Sequence, residues 1–181
     1  MIDKNELLFV VDEHNNPLTP LPRHIVHNKM IWHLCTGIWI VNNKNQILCQ
    51  KRSLKKDLKP GMWEAFFGGH LHPNETYNNN ALNELTEELG ITAQKENLVP
   101  YKIFKNDEPN HKEFQHSFIY KLDKDDTDFD FEKEEVDEIK WLTLYQVRKY
   151  LLIENDPQWV HKPWDKEMLN FIAQLSPNLK S

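Results

Sequence analysis

Residues Gly69–Ile91 read GHLHPNETYNNNALNELTEELGI, and the rest of the chain is best read outward from this stretch. Ala81, Leu82, Leu85 and Leu89 recur at helical spacing, and Gly90 stands where a helix would stop. The start is expected near Glu75 or Thr76. On such a helix Glu84, Glu87 and Glu88 are i, i+3 and i+4 neighbours and share one face. Like charges at these spacings weaken an isolated helix by roughly 0.3 kcal/mol per pair. A solvated acidic face tolerates that cost; a divalent cation reverses it. Mg2+ suits such a site, because it takes oxygen ligands and keeps waters that leave room for substrate phosphates.

Upstream of this helix the pattern is β. Residues 7–11, LLFVV, read as a strand, and the proline-rich stretch 12–22 as turns. Leu34–Val41 reads as a strand, with Ile47–Arg52 as its hairpin partner across a polar turn. Lys55–Gly61 reads as a basic loop, and Trp63–Gly69 as strand-like. Downstream, Leu98–Phe104 and Phe114–Leu122 read as strands around a turn at 106–110. Residues 123–138 are strongly acidic and read as a solvated loop. Ile139–Leu142 reads as a short strand, Leu144–Ile153 and Lys166–Leu175 as helices, with fraying after Pro177. The order predicts one α+β domain, layered α/β/α, over residues 1–181, with a leader over 1–30 and C-terminal helices over 144–175.

Composition narrows the function. The chain has 181 residues and a net charge of −6, which disfavours non-specific binding to nucleic acid or to an anionic membrane. A phosphate substrate must therefore meet a local basic patch or a metal. Cys35 and Cys49 are too few for a disulfide framework and sit in apolar runs, so buried free thiols are expected. No window reads as a signal peptide or a membrane span, and a cytoplasmic location is expected.

Gly69, five residues, Glu75, seven residues, then Asn83-Glu84-Leu85-Thr86-Glu87-Glu88-Leu89-Gly90-Ile91 closely resembles the Nudix box, G-x5-E-x7-R-E-U-x-E-E-x-G-U. One specified position departs: Asn83 stands where the box has arginine. The resemblance implies a Nudix fold, a mixed sheet sandwiched by helices with the box as loop–helix–loop over 69–91. It implies Glu84, Glu87 and Glu88 as catalytic metal ligands for Mg2+ or Mn2+, with Glu87 or Glu88 handling the attacking water. It implies that Gly69 permits the tight turn and that Glu75 and Gly90 fix the loop ends. The missing arginine removes a charge that braces the carboxylates.

A second resemblance covers most of the chain. VDEHNNPL, PRHIVH, WHLCTGIWIVN, ILCQKRS and PGMWEAFFGGH are similar to the isopentenyl-diphosphate isomerase-like branch of the same family. The resemblance implies a second metal site from His27, His33 and His70, with His111 and Glu113 as further ligands, suited to Zn2+ or Mn2+. Pro163-Trp164 matches an aromatic wall of the isomerases. Gly68 stands where the isomerases carry their catalytic cysteine, and glycine transfers no proton. Lys51, Arg52 and Lys55, with Lys56 and Lys59, are the candidate diphosphate-binding residues on the basic hairpin. Glu138 is a candidate remote base or metal ligand, while Trp32, Trp39, Trp63 and Phe67 divide between core packing and stacking.

The expectation is a metal-dependent pyrophosphohydrolase cleaving a diphosphate linkage in a small organic or nucleoside diphosphate. The rivals are an isomerase-like enzyme and a non-catalytic diphosphate-binding module. Small-molecule diphosphates are the expected partners; homodimers are common in the family.

Overall fold

The protein is described by a computed structural model over residues 6–56, 58–108, 111–123 and 129–175. Expectations on the extreme C-terminus and on 109–110 lie outside these residues. The leader holds a small ladder of β1 (Leu7–Leu8) and β2 (Leu21–Pro22), followed by α1 (Arg23–Asn28). The expected strand over 7–11 thus shortens to a two-residue ladder, with Val10 and Val11 making isolated bridges. The helix α1 has no counterpart in the sequence reading. It lacks a side-chain cap and buries Val26.

The main sheet contains β3 (His33–Asn42), β4 (Gln46–Arg52), β5 (Trp63–Glu64), β6 (Leu98–Glu108), β7 (His111–Leu122) and β8 (Val136–Thr143). Its order is β5-β4-β3-β7-β6, with β8 on β4. Strands β3 and β7 run parallel in continuous register from His33↔Glu113 to Asn42↔Leu122, while the other pairs are antiparallel. Every residue of β3 is buried, because helices cover both sheet faces. Ile38 and Ile40 pack with Ala81, Leu85 and Leu89 of α2 (Tyr77–Leu89). Trp39 and Val41 pack on the other side with Val147, Leu151, Met168 and Ile172. These come from α3 (Leu144–Arg148), a π-helical turn over Lys149–Ile153, and α4 (Asp165–Leu175). The alternation along β3 is the pleat of a strand buried on two sides.

The sheet also corrects the expected hairpin. Strands β3 and β4 share one register pair, Val41↔Ile47, and then diverge. The partner of β4 along its length is β8, from Gln46↔Thr143 to Arg52↔Val136. In the fork between β3 and β4 lie β5 and the segment 67–71. Phe67 and Ile38 exchange backbone hydrogen bonds, the Thr36 N–H donates to Gly69 O, and the Leu71 N–H donates to Leu34 O. Residues 63–69 are therefore not one strand: their first half pairs with β4, and the segment beyond crosses to β3. The turn expected from residue 106 does not begin there: Asn106 is a buried strand residue paired with Glu113, and β6 continues to Glu108.

Candidate active site

Helix α2 begins as its sequence dictates. The Thr76 hydroxyl oxygen accepts from the Asn79 N–H, and Gly90 closes the helix at φ 65°. The face beside Ala81, Leu85 and Leu89 carries Asn80, Glu84 and Glu88, and it looks into a cavity of about 590 Å³ at the sheet fork. Glu84, Glu87 and Glu88 all line this cavity. They differ in depth: Glu88 is buried, Glu84 half-buried and Glu87 exposed.

Gly69 lies against Glu84, where a β-carbon would sit 2.2 Å from Glu84 Oε1. The Gly68 N–H donates to Glu88 Oε2 at 3.1 Å, fixing the deepest carboxylate. Gly68 itself has φ 131°, and a β-carbon there would lie 2.5 Å from Thr36 O. The backbone thus excludes any side chain at the position matching the isomerase cysteine. Burial, then the neighbouring Glu88 and Glu87 charges, push the Glu84 carboxyl well above its usual range. Burial pushes Glu88 up to about 8, with Lys56 and the Gly68 N–H pulling the other way.

The box loop is closed by residues the charge pattern does not single out. Glu75 accepts from the His72 N–H at 3.0 Å, from Asn80 Nδ2 at 3.1 Å and from Asn83 Nδ2 at 3.2 Å. Asn83 therefore holds Glu75, the loop's own carboxylate. Asn80 is the hub. It accepts from the Thr36 hydroxyl at 2.6 Å and donates to His70 O at 3.0 Å and, at 3.5 Å, to Glu84. Its presence in a run of three asparagines gives no hint of this role.

A second cluster adjoins the cavity through His70. Ring nitrogens of His27, His33 and His70 all lie within 4.8 Å of one another. They come from α1, from the start of β3 and from the fork segment. The Ile31 carbonyl takes His33 Nδ1 at 2.9 Å, while His33 Nε2 is buried without a hydrogen-bond partner among the described residues. That orphaned nitrogen and the three-imidazole donor set fit a borderline transition ion. Arg23 Nη1 contacts His70 Nδ1 at 3.1 Å. A guanidinium only donates, so Nδ1 accepts and the proton of a neutral His70 ring sits on Nε2. A cation held through Nε2 requires the opposite tautomer. Burial and the neighbouring His33 and Arg23 hold His70 well below its ordinary pKa.

His111 and Glu113 stand beside this triad but are committed to each other at 2.7 Å. The other oxygen of Glu113 accepts from Lys162 Nζ at 2.7 Å and Asn106 Nδ2 at 3.1 Å. Burial works to raise Glu113, but Lys162 and His111 outweigh it and hold the carboxyl well below its usual range.

Of the basic hairpin, Arg52, Lys56 and Lys59 line the cavity. Arg52 pairs with Glu64 at 2.8 Å, and Lys56 pairs with Glu135. Lys51 and Glu138 sit opposite one another in the β4–β8 ladder, and Lys55 pairs on the exposed side with Glu134; none of these three lines the cavity. The acidic stretch is more than a solvated loop, since Glu132 and Glu135 line the cavity. Trp39 and Phe67 are fully buried, Trp63 stacks on Trp159, and Trp164 stacks on Phe104 at 4.8 Å. These rings are core; Phe66 is the aromatic that meets the cavity. Both cysteines are buried and free.

Comparison with known proteins agrees with this geometry. The NUDIX domain family profile matches residues 32–164. Isopentenyl-diphosphate Delta-isomerase 2 of Photorhabdus laumondii is 30% identical over 172 residues, covering 93% of each chain. An uncharacterized Nudix hydrolase of Clostridium acetobutylicum is 26% identical, covering 82% of this chain and 75% of its own. The crystal structure of DR0079 from Deinococcus radiodurans superposes with a TM-score of 0.72 at 19% identity, covering 92% of this chain and 99% of its own.

Proposed function

The chain belongs to the NUDIX domain family, in the branch that includes isopentenyl-diphosphate isomerases and Nudix hydrolases, and we propose that it is a metal-dependent hydrolase of a small organic or nucleoside diphosphate. The observation that carries this reading is the trio Glu84, Glu87 and Glu88 on one cavity wall, with Arg52 and Lys56 beside it. Burial of Glu84 and Glu88 beside the exposed Glu87 gives a mutually repelling, all-oxygen donor set, which fits a hard cation such as Mg2+ or Mn2+. The chemistry such a cation supplies is charge neutralisation on the phosphoryl oxygens.

The chain's own residues supply the rest. The Gly68 N–H fixes Glu88 before substrate arrives. Arg52 and Lys56 offer N–H donors to the diphosphate. Glu87 or Glu88 takes the proton of the attacking water as one phosphorus–oxygen bond of the anhydride breaks. The products are two phosphate esters, or one ester and orthophosphate.

A second reading, an isomerase-like activity, is favoured by the His27, His33 and His70 cluster and by the 30% identical relative. The absence of any room for a side chain at Gly68 weighs against it. Burial raises the Cys35 thiol well above its usual range, so it is a poor replacement.

The test is a mass-spectrometric product assay with Mg2+ and then Mn2+, over nucleoside, sugar, dinucleotide and prenyl diphosphates. Glu87→Gln and Glu88→Gln are expected to abolish cleavage while circular dichroism and Tm stay near wild type. Undiminished turnover in both variants rejects the assignment. A shifted prenyl double bond without cleavage selects the second reading.

A further inference from the structure

The cations of the cavity fall into two groups. Arg52 and Lys56 act on the Glu84–Glu88 end, where Lys56 lowers both carboxyl pKa values. Lys59 and Lys162 form a second group, near enough to repel one another, with Glu113, Glu64, Glu108 and Asp165 as their acidic neighbours. Two of those carboxylates are already committed: Glu64 to Arg52, and Glu113 to Lys162, His111 and Asn106. Among the described residues Lys59 makes no ion pair, although it lines the cavity. It is held there by a turn in the left-handed region, with Lys59 at φ 50° and Gly61 at φ 72°. Lys162 has its side chain 10% exposed. Its ammonium carries three donors, and Glu113 takes one of them.

Carbon surface in the cavity comes from Leu58, whose carbonyl accepts from Arg52, from Phe66, whose ring centroid lies 5.9 Å from Lys162 Nζ, and from Val160. A bound diphosphate at the carboxylate end directs its organic half along that surface towards Lys59 and Lys162. An uncharged prenyl tail there would cover two ammonium groups and cost their hydration. An anionic substituent would replace that hydration with charge-assisted hydrogen bonds.

We infer that Lys59 and Lys162 form a subsite for an anionic group, a carboxylate or a phosphate, on the organic half of the substrate. The inference rests on the diphosphate reading above, and it names the substrate class as organic diphosphates with a second, distal negative charge. Lys59 is the specificity residue at the rim; Lys162 is the deeper partner.

The test uses three butyl diphosphates: unmodified, ω-carboxylated and ω-phosphorylated. The full chain with Mg2+ is assayed by phosphorus-31 NMR, and binding of the same probes is measured by calorimetry without metal. Wild type is expected to favour at least one anionic probe over the neutral probe by about fivefold to tenfold in kcat/KM. Lys59→Met should bring that ratio to near one, and Lys59→Arg should retain it. No preference in wild type, or an unchanged ratio in Lys59→Met, overturns the subsite while leaving the hydrolase reading intact. If no probe is cleaved, the hydrolase reading is decided separately by the wider diphosphate panel. The ratio of Kd values then decides: a preference lost in Lys59→Met supports the subsite, and equal values reject it.

Discussion

Replacing Asn80 by alanine should cost about 4 kcal/mol of stability through lost hydrogen bonds. The side chain is 2% exposed and makes bonds to Thr36, His70 O and Glu75 at 2.6, 3.0 and 3.1 Å. The two neutral bonds contribute about 1 kcal/mol each and the bond to the Glu75 carboxylate about 2 kcal/mol. The weak 3.5 Å contact to Glu84 is given nothing. Some of the loss returns if water from the cavity reaches Thr36, so about 3 kcal/mol is the lower end. For a chain of this length that lowers Tm by about 10 °C. Two companions test the attribution. Thr36→Val removes one bond and should cost about 1 kcal/mol. Asn80→Asp keeps the acceptor for Thr36 but turns a charge towards Glu75, Glu84 and the His70 carbonyl, so it should be worse than alanine. Urea titrations at pH 7.5 with equal m values give the comparison. An Asn80→Ala variant within about 1 kcal/mol of wild type, or an Asn80→Asp variant more stable than Asn80→Ala, refutes the hub.

Gly69→Ala is expected to displace Glu84, because the new β-carbon falls 2.2 Å from its Oε1; turnover with Mg2+ should drop about 100-fold with little change in Tm. Lys162→Met strands a buried carboxylate on Glu113 and should cost about 3 kcal/mol in urea, most of it recovered in Lys162→Met/Glu113→Gln; equal losses in the single and double variants would contradict the pairing. Asp165 is raised by burial to about 6 from 3.8, so the folded state binds its proton more readily than the unfolded state does. Its contribution is most favourable below pH 4 and is lost as pH rises through 6, by about 3 kcal/mol in all. Asp165→Asn should therefore flatten stability between pH 4 and 7, and an unchanged slope would contradict the burial argument.

The box was legible because its signals are local. Thr76, the Ala81–Leu85–Leu89 stripe and Gly90 specify a helix without help from the rest of the chain. The histidine triad was legible only through family resemblance, since His27, His33 and His70 obey no periodicity and come from separate elements. Asn80 and Lys162 were missed because their roles depend on long-range partners, Thr36 and Glu113. The hairpin forms as expected, but its early divergence was missed for a related reason. A strand pattern reports which residues like a sheet; that β4 leaves β3 early on one edge, where β5 and the fork segment take its place, and pairs with β8 on the other is decided by distant segments. Lys51 looked equivalent to Arg52, but the ladder shifts register between them and, of the two, Arg52 reaches the cavity.

The in-register parallel pairing of β3 with β7 also sets the order in which the molecule can assemble. It joins His33 to Glu113 and Asn42 to Leu122, so the whole box and the β6 strand must be looped out before the first such contact closes. Loop-closure entropy makes pairings of that kind slow, and a chain waiting for them exposes unpaired strand edges. The triad, the Glu113–Lys162 pair and the α2 carboxylates all converge on this one joint. Refolding should accordingly regain helical signal from α2 before it regains any capacity to bind a ligand, and the cavity should be the last part of the molecule to become native.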